Sequence, residues 1–137
     1  MISLKENVNS VEEFNLLFDK VGWGAHEDEV SKRALENTYY SVSVYDDNEI
    51  IGFGRLIGDT ICYMYIHDIV VDPKYQGKKI GTMIMNKLIE KVEELRKENP
   101  YIRIYLGAAK GKEGFYKHFG FVEREDAGLG AGMVLKD

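Results

Sequence analysis

Residues 60–107 hold the feature that most limits how this chain can fold. The run "TICYMYIHDIVVD" (60–72) reads as a strand, Asp72-Pro73 turns the chain, and residues 80–98 carry an amphipathic helical pattern stopped by Asn99-Pro100. "YIRIYLG" (101–107) follows as another strand. A strand, a long helix and a further strand make a crossover unit. Upstream, "YYSVSVYD" (39–46), "EIIGFGRLIGD" (49–59) and the strand 60–72 follow one another through short turns at "DDNE" and "GD", as an antiparallel meander. The combination predicts an α/β (α+β) chain with a mixed, mostly antiparallel central sheet and helices on both faces.

The remaining segments fit around that sheet. Residues 2–5 read as a short strand. Ser10 and Glu13 have capping-box spacing, and Val11, Phe14, Leu17, Phe18 and Val21 recur at helical intervals up to Gly22. "GWG" (22–24) is a loop, and a second helix is expected over 26–36 with Val30, Ala34 and Leu35 as its stripe. A short helix is expected over 112–119, stopped by Gly120, and "FVERE" and "GMVLKD" read as two closing strands. With 137 residues and no repeat or low-complexity linker, one domain over 1–137 is expected.

Composition narrows the functional classes. Hydrophobic residues make up 45%, which argues against disorder. A net charge of −5 gives no reason to expect nucleic acid or an anionic membrane as the main partner. A single cysteine, Cys62, leaves no internal disulfide or multi-cysteine zinc site. It reads as a reduced thiol packed in or near a strand, which suits the cytoplasm. The start "MISLKENVNS" lacks a signal peptide's apolar core, and no apolar run approaches the ~20 residues of a membrane span. Three scattered histidines form no metal site.

"DPKYQGKKIGT" (72–82) sits where strand becomes helix. Gly77 and Gly81 let backbone approach a ligand closely, and the N–H groups from about 77 to 82 point off the helix start. The helix dipole, Lys78, Lys79 and the Thr82 hydroxyl add to an anion cradle suited to a pyrophosphate. The competing reading is an ordinary helix entry with two solvated lysines. Neither common phosphate motif applies. "GKKIGT" lacks the P-loop's gap and ending, and "GFGRLIG" (52–58) lies inside a strand pattern and has one residue too many for a dinucleotide fingerprint.

Two motifs together carry a family resemblance. "IVVDPKYQGKKIGTMIMNKLI" resembles the acyl-CoA-binding motif of the GNAT superfamily of N-acetyltransferases, Gln/Arg-x-x-Gly-x-Gly/Ala, with Gln76 at its first position and Gly81 at its last. Lys79 stands where the family usually has its first glycine. "EGFYKHFGF" (113–121) resembles the family's Phe-Tyr-x-x-x-Gly-Phe, with Ala109 where the family often has asparagine. The element order also fits. The resemblance implies acetyl-CoA in a cleft between the strand ending at Val71 and the strand 101–106. Its pantetheine would pair with backbone at Ile69, Val70 and Val71. Its pyrophosphate would meet Gln76, Gly77, Lys78, Lys79, Ile80, Gly81 and Thr82.

The implied chemistry is acetyl transfer from acetyl-CoA to a primary amine, expected to be a small molecule, by direct attack through a tetrahedral intermediate. The amine attacks only when neutral, so a base or water relay takes a proton. The oxyanion needs a donor such as the amide of Ile69 or Val70. Family position gives Tyr116 the proton for the leaving thiolate; its other reading is packing beside Phe115 and Phe119. Strand alternation would put 63, 65, 67, 69 and 71 on one face, bringing Tyr65 and His67 together as base or water-holding residues, with Asp68 on the other face. His67 can equally be a packed, hydrogen-bonded histidine. Trp23 is either a pocket wall or cation–π platform for the acceptor, or a core anchor for its loop. Arg55 either binds a substrate carboxylate or pairs with a neighbouring acid.

Two other functions stay open on the sequence. One is a CoA-binding sensor without turnover, which Lys79 and Ala109 keep in view. The other is a protein N-acetyltransferase of histone or ribosomal type. The family's habit of dimerising through sheet edges or C-terminal strands makes a homodimer compatible with the reading.

Overall fold

The crossover helix organises the fold. In the computed structural model, which describes residues 1–137, the elements run in this order. They are β1 (Ile2–Glu6), α1 (Val11–Lys20), α2 (Asp28–Glu36), β2 (Tyr40–Asp46), β3 (Glu49–Gly58), β4 (Tyr63–Val71), α3 (Ile80–Glu98), β5 (Arg103–Leu106) and α4 (Glu113–Lys117). Short 3-10 turns occupy Pro73–Tyr75 and Arg124–Ala127. The sheet has five strands in the order β1-β2-β3-β4-β5. β1 to β4 pair antiparallel in sequence, and β5 joins β4 after the α3 crossover, so the sheet is mixed as expected. The chain divides into two compact units, residues 1–105 and 106–137.

Neighbouring residues of β3 show the two covered faces. Phe53 meets Phe14 of α1 edge-on at 5.2 Å and belongs to a core with Leu17, Phe18, Leu35 and Val70. On the opposite face, a Cβ on Gly54 would lie 2.5 Å from Ile84 and 2.7 Å from Ile69, so glycine there lets α3 sit directly on the sheet. Ile84, Met85, Leu88 and Val92 of α3 are all buried.

The connection between β3 and β4 is longer than a "GD" turn. The Asp59 carboxylate accepts from the amides of Ile61, Cys62 and Tyr63 at 2.8, 2.8 and 2.9 Å, so β4 starts only at Tyr63. These bonds hold the Asp59 carboxyl below its usual range, led by the Tyr63 amide. Cys62 is exposed in this loop, not packed as expected.

In the unit 106–137, the two closing strands expected at "FVERE" and "GMVLKD" do not form. The chain folds back on itself instead. Leu129 N–H donates to the Arg124 carbonyl at 2.9 Å, and Arg124 Nε donates to the Gly130 carbonyl at 2.7 Å. Gly128 adopts φ 77°, left-handed backbone that closes the 3-10 turn Arg124–Ala127. Strand propensity in these segments thus goes unused.

Candidate active site

β4 does not alternate along its whole length. Phe53 opposes Val70 and Arg55 opposes His67, so one residue of β3, Gly54, faces two of β4, Asp68 and Ile69. This is a β-bulge, and Asp68 takes φ 56° to make it, a left-handed conformation that aspartate tolerates better than most side chains. Before the bulge, Tyr63, Tyr65 and His67 are exposed while Met64 and Ile66 are buried. After it, Ile69 points to α3 and Val70 to the α1 core. The expectation that 63, 65, 67, 69 and 71 share one face is therefore corrected: the bulge reverses the phase. It also brings Asp68 to the His67 side, not the opposite one.

Arg55 fixes the bulge. Its Nε donates to the Asp68 carboxylate at 2.7 Å, and its Nη1 donates to the Ala34 carbonyl at 3.1 Å and to Thr38 Oγ1 at 3.0 Å. The guanidinium also lies 6.0 Å over the Phe14 ring. Of the two readings of Arg55, the structure displays the pairing with a neighbouring acid. It ties the end of α2 to β4.

The strand's exit is fixed by a buried acid. Asp72 is 2% exposed; it accepts from the Lys74 amide at 3.0 Å and from Lys20 Nζ of α1 at 3.0 Å. Burial alone would raise its carboxyl, but the Lys74 amide and Lys20 ammonium together hold it below the usual range. Tyr75, in the same turn, donates to Asp46, and Lys78 lies 5.4 Å over the Tyr75 ring.

α3 then begins without a cap. Lys79 takes φ 66° at the N-cap position, and no side chain satisfies the first turn. Gln76 N–H reaches the Pro73 carbonyl and Lys78 N–H the Tyr75 carbonyl, while Met83 N–H closes the first helical bond onto Lys79. The amides of Gly77, Lys79, Ile80, Gly81 and Thr82 have no acceptor in the chain. Gly77 has φ 80° with open space where a side chain would project. Gln76, Gly77, Lys78 and Lys79 are exposed; Ile80 is buried against β3, so only its amide can serve a ligand. Open amides, two lysines and no first-turn acid make this start a fit for a bound phosphate.

These observations can be set beside known proteins. The family model of the acetyltransferase (GNAT) domain matches residues 7–136. The chain belongs to the GNAT acetyltransferases. An uncharacterized N-acetyltransferase ycf52 of Gracilaria tenuistipitata var. liui is 33% identical over 129 residues, 91% of this chain and 68% of the relative. The solved structure of a probable acetyltransferase from meticillin-resistant Staphylococcus aureus superposes with a TM-score of 0.88 at 27% identity, covering 100% of both chains. A GNAT-family acetyltransferase from Streptococcus pneumoniae gives 0.82 at 26% identity, covering 100% of this chain and 98% of its own. As a GNAT protein, the chain is an N-acetyltransferase acting on amines. No helix is long and apolar enough to cross a membrane.

Within this GNAT domain the other expected residues stand as follows. His67 is exposed and lies 6.2 Å, ring to ring, from Tyr65. Trp23 is 52% exposed and meets Phe18 edge-on at 5.3 Å, so it is not a core anchor. In the second unit, Tyr116 of α4 is half-buried, packs edge-on against Phe115 at 5.0 Å, and burial pushes its hydroxyl up. Sequence reasoning missed Tyr105 of β5, whose ring stacks on Tyr65 at 5.5 Å. Alternation within one strand cannot reveal a partner on another.

Proposed function

We propose that this GNAT protein transfers the acetyl group of acetyl-CoA to a primary amine of a small molecule by direct attack. The observation that carries the reading is the uncapped, left-handed start of α3 directly after β4, with five amides lacking acceptors. In this reading Gln76, Gly77, Lys78, Lys79, Ile80, Gly81 and Thr82 hold the pyrophosphate, and the backbone of Ile69, Val70 and Val71 holds the pantetheine. Acetyl-CoA supplies the activated acyl group.

His67, with Tyr65 beside it, accepts the proton that the amine must lose. The amide of Ile69 or Val70, set by the bulge, donates to the developing oxyanion. Tyr116, a phenol that holds its proton near neutral pH, gives it to the leaving sulfur. That last role rests on the "EGFYKHFGF" resemblance. Trp23, exposed in the loop after α1, borders the acceptor's approach in this reading. Arg55 acts through Asp68. The cytoplasm is the proposed compartment.

Acetyl-CoA titration with a free-thiol assay over a panel of amines tests the reading. Binding with amine-dependent thiol release is the expected result. Binding without release from any amine would make the protein a sensor. Tyr116→Phe tests the donor separately: turnover should fall roughly tenfold or more with KM for acetyl-CoA unchanged.

A further inference from the structure

The α1 side of β4 ends in aromatic rings. Tyr63 and Tyr65 are 48% and 40% exposed, and His67 follows them on the same face. Tyr105 lies 5.5 Å from Tyr65 with 26° between ring planes, and 6.1 Å from Tyr63 with 31° between planes. Tyr65 lies 6.2 Å and 41° from His67. Three phenol rings and an imidazole thus form one inclined surface that leads to His67. None of these rings is among the buried core residues: Tyr63, Tyr65 and His67 are exposed and Tyr105 is half-buried. Grouped apolar surface left in water marks a place where something binds.

The charges around this surface narrow the occupant. Every carboxylate on β3, β4 and the loop joining them is already engaged. Glu49 is paired with Lys20, Asp59 accepts from three amides, and Asp68 is held by Arg55. A second ammonium, as on a polyamine or amino sugar, meets no unpaired carboxylate on these elements. Arg103 shares the Tyr105 face of β5 by alternation and adds positive charge. What the surface offers is the stacked pair Tyr65 and Tyr105 flanked by the tilted rings of Tyr63 and His67, a surface on which a further ring can pack.

We infer that the acceptor is a primary amine carrying an aromatic ring on a short tether, its ring stacked on Tyr65 and Tyr105 and its nitrogen at His67. This rests on the acetyl-transfer reading and names its substrate class. The protonated amine gives one proton to His67, its nitrogen bonds the acetyl carbon, and the carbon–sulfur bond breaks. The thiolate takes a proton, and the amide nitrogen releases its second proton to solvent. The products are an N-acetyl arylalkylamine and coenzyme A.

The test compares 2-phenylethylamine, 2-cyclohexylethylamine, spermidine and glucosamine as acceptors, with acetyl-CoA and thiol detection. The expected kcat/KM for phenylethylamine exceeds the others by tenfold or more. Tyr105→Ala should lower it roughly three- to tenfold, the range of one lost ring–ring contact, with KM for acetyl-CoA unchanged. Tyr105→Phe should recover most of that loss. If the alanine variant does not fold, Tyr105→Leu replaces it.

Equal or better turnover of spermidine or glucosamine overturns the inference and leaves acetyl transfer standing. Equal turnover of the cyclohexyl compound also overturns it, because stacking would then have no role. If no amine releases coenzyme A, the acetyl-transfer reading fails. Saturation-transfer NMR with phenylethylamine then decides the surface alone. Transfer to the ring protons that Tyr105→Ala abolishes upholds it, and no transfer to the wild type overturns it.

Discussion

Helices α1 and α3 begin in opposite ways. Ser10 caps α1, its side chain accepting from the Glu13 amide at 3.3 Å, and Glu12 and Glu13 place negative charge in the first turn. α3 starts on a left-handed lysine with no cap, no first-turn acid and its amides open. The first arrangement satisfies a helix end from within the chain. The second leaves that end to be satisfied by something else. α2 also starts without a side-chain cap, but Asp28 and Glu29 put negative charge in its first turn; the start of α3 has neither cap nor acid, and that difference is what the proposed pyrophosphate site uses.

The comparison breaks most visibly at Asp72, which ties the turn before α3 to Lys20 at the end of α1. Asp72→Asn should cost about 2 kcal/mol in urea unfolding near neutral pH, the range for hydrogen bonds to charged groups. The folded carboxyl is held below its ordinary value, so its contribution is complete above the unfolded pKa of about 3.9 and fades as pH falls through the lower folded value. Wild type and variant should therefore converge in strong acid. A gap that persists there would mean the loss is one of shape, not charge.

Gly81→Glu fills the α3 start with a side chain and negative charge. Acetyl-CoA affinity should fall more than tenfold, about 1.4 kcal/mol, with the fold intact; unchanged affinity by calorimetry would remove the pyrophosphate assignment. Ser10→Ala should show the converse. Removing the α1 cap should cost about 1 kcal/mol in a melting experiment and leave acetyl-CoA affinity alone. An affinity loss there would erase the distinction between the two helix starts.

The smallest effect belongs to Lys79→Gly. Relief of the left-handed backbone is opposed by glycine's greater freedom in the unfolded chain, so stability should rise by only roughly a few tenths of a kcal/mol. A clear loss of stability would show that the lysine stem packs as well as bends.

The large elements were legible because their signals are local. α3 shows its period over 80–98 and its end at Asn99-Pro100, and the cap of α1 lies three residues from its partner. The bulge was not legible. Reading faces from alternation assumes an unbroken register, whereas Asp68 leaves that register and depends on Arg55, thirteen positions away. The closing strands failed for a related reason. "GMVLKD" has strand composition, but composition does not say whether a neighbour is available to pair. The loop 76–82 was found from its glycines and lysines. Its most telling residue, left-handed Lys79, was visible only as a departure from the family pattern.

The bulge at Asp68 acts on β4 as an inserted base acts on a reading frame. Upstream of it, odd-numbered residues carry the rings and His67 outward; downstream, the odd-numbered Ile69 goes inward under α3. Deleting Asp68 itself would close the bulge and leave every other face as it is, whereas deleting His67 would keep the bulge and invert the meaning of everything before it. With His67 removed, Met64 and Ile66 would face outward, and Tyr63 and Tyr65 would be driven to the buried side. The strand therefore tolerates many substitutions more readily than a single change in its length.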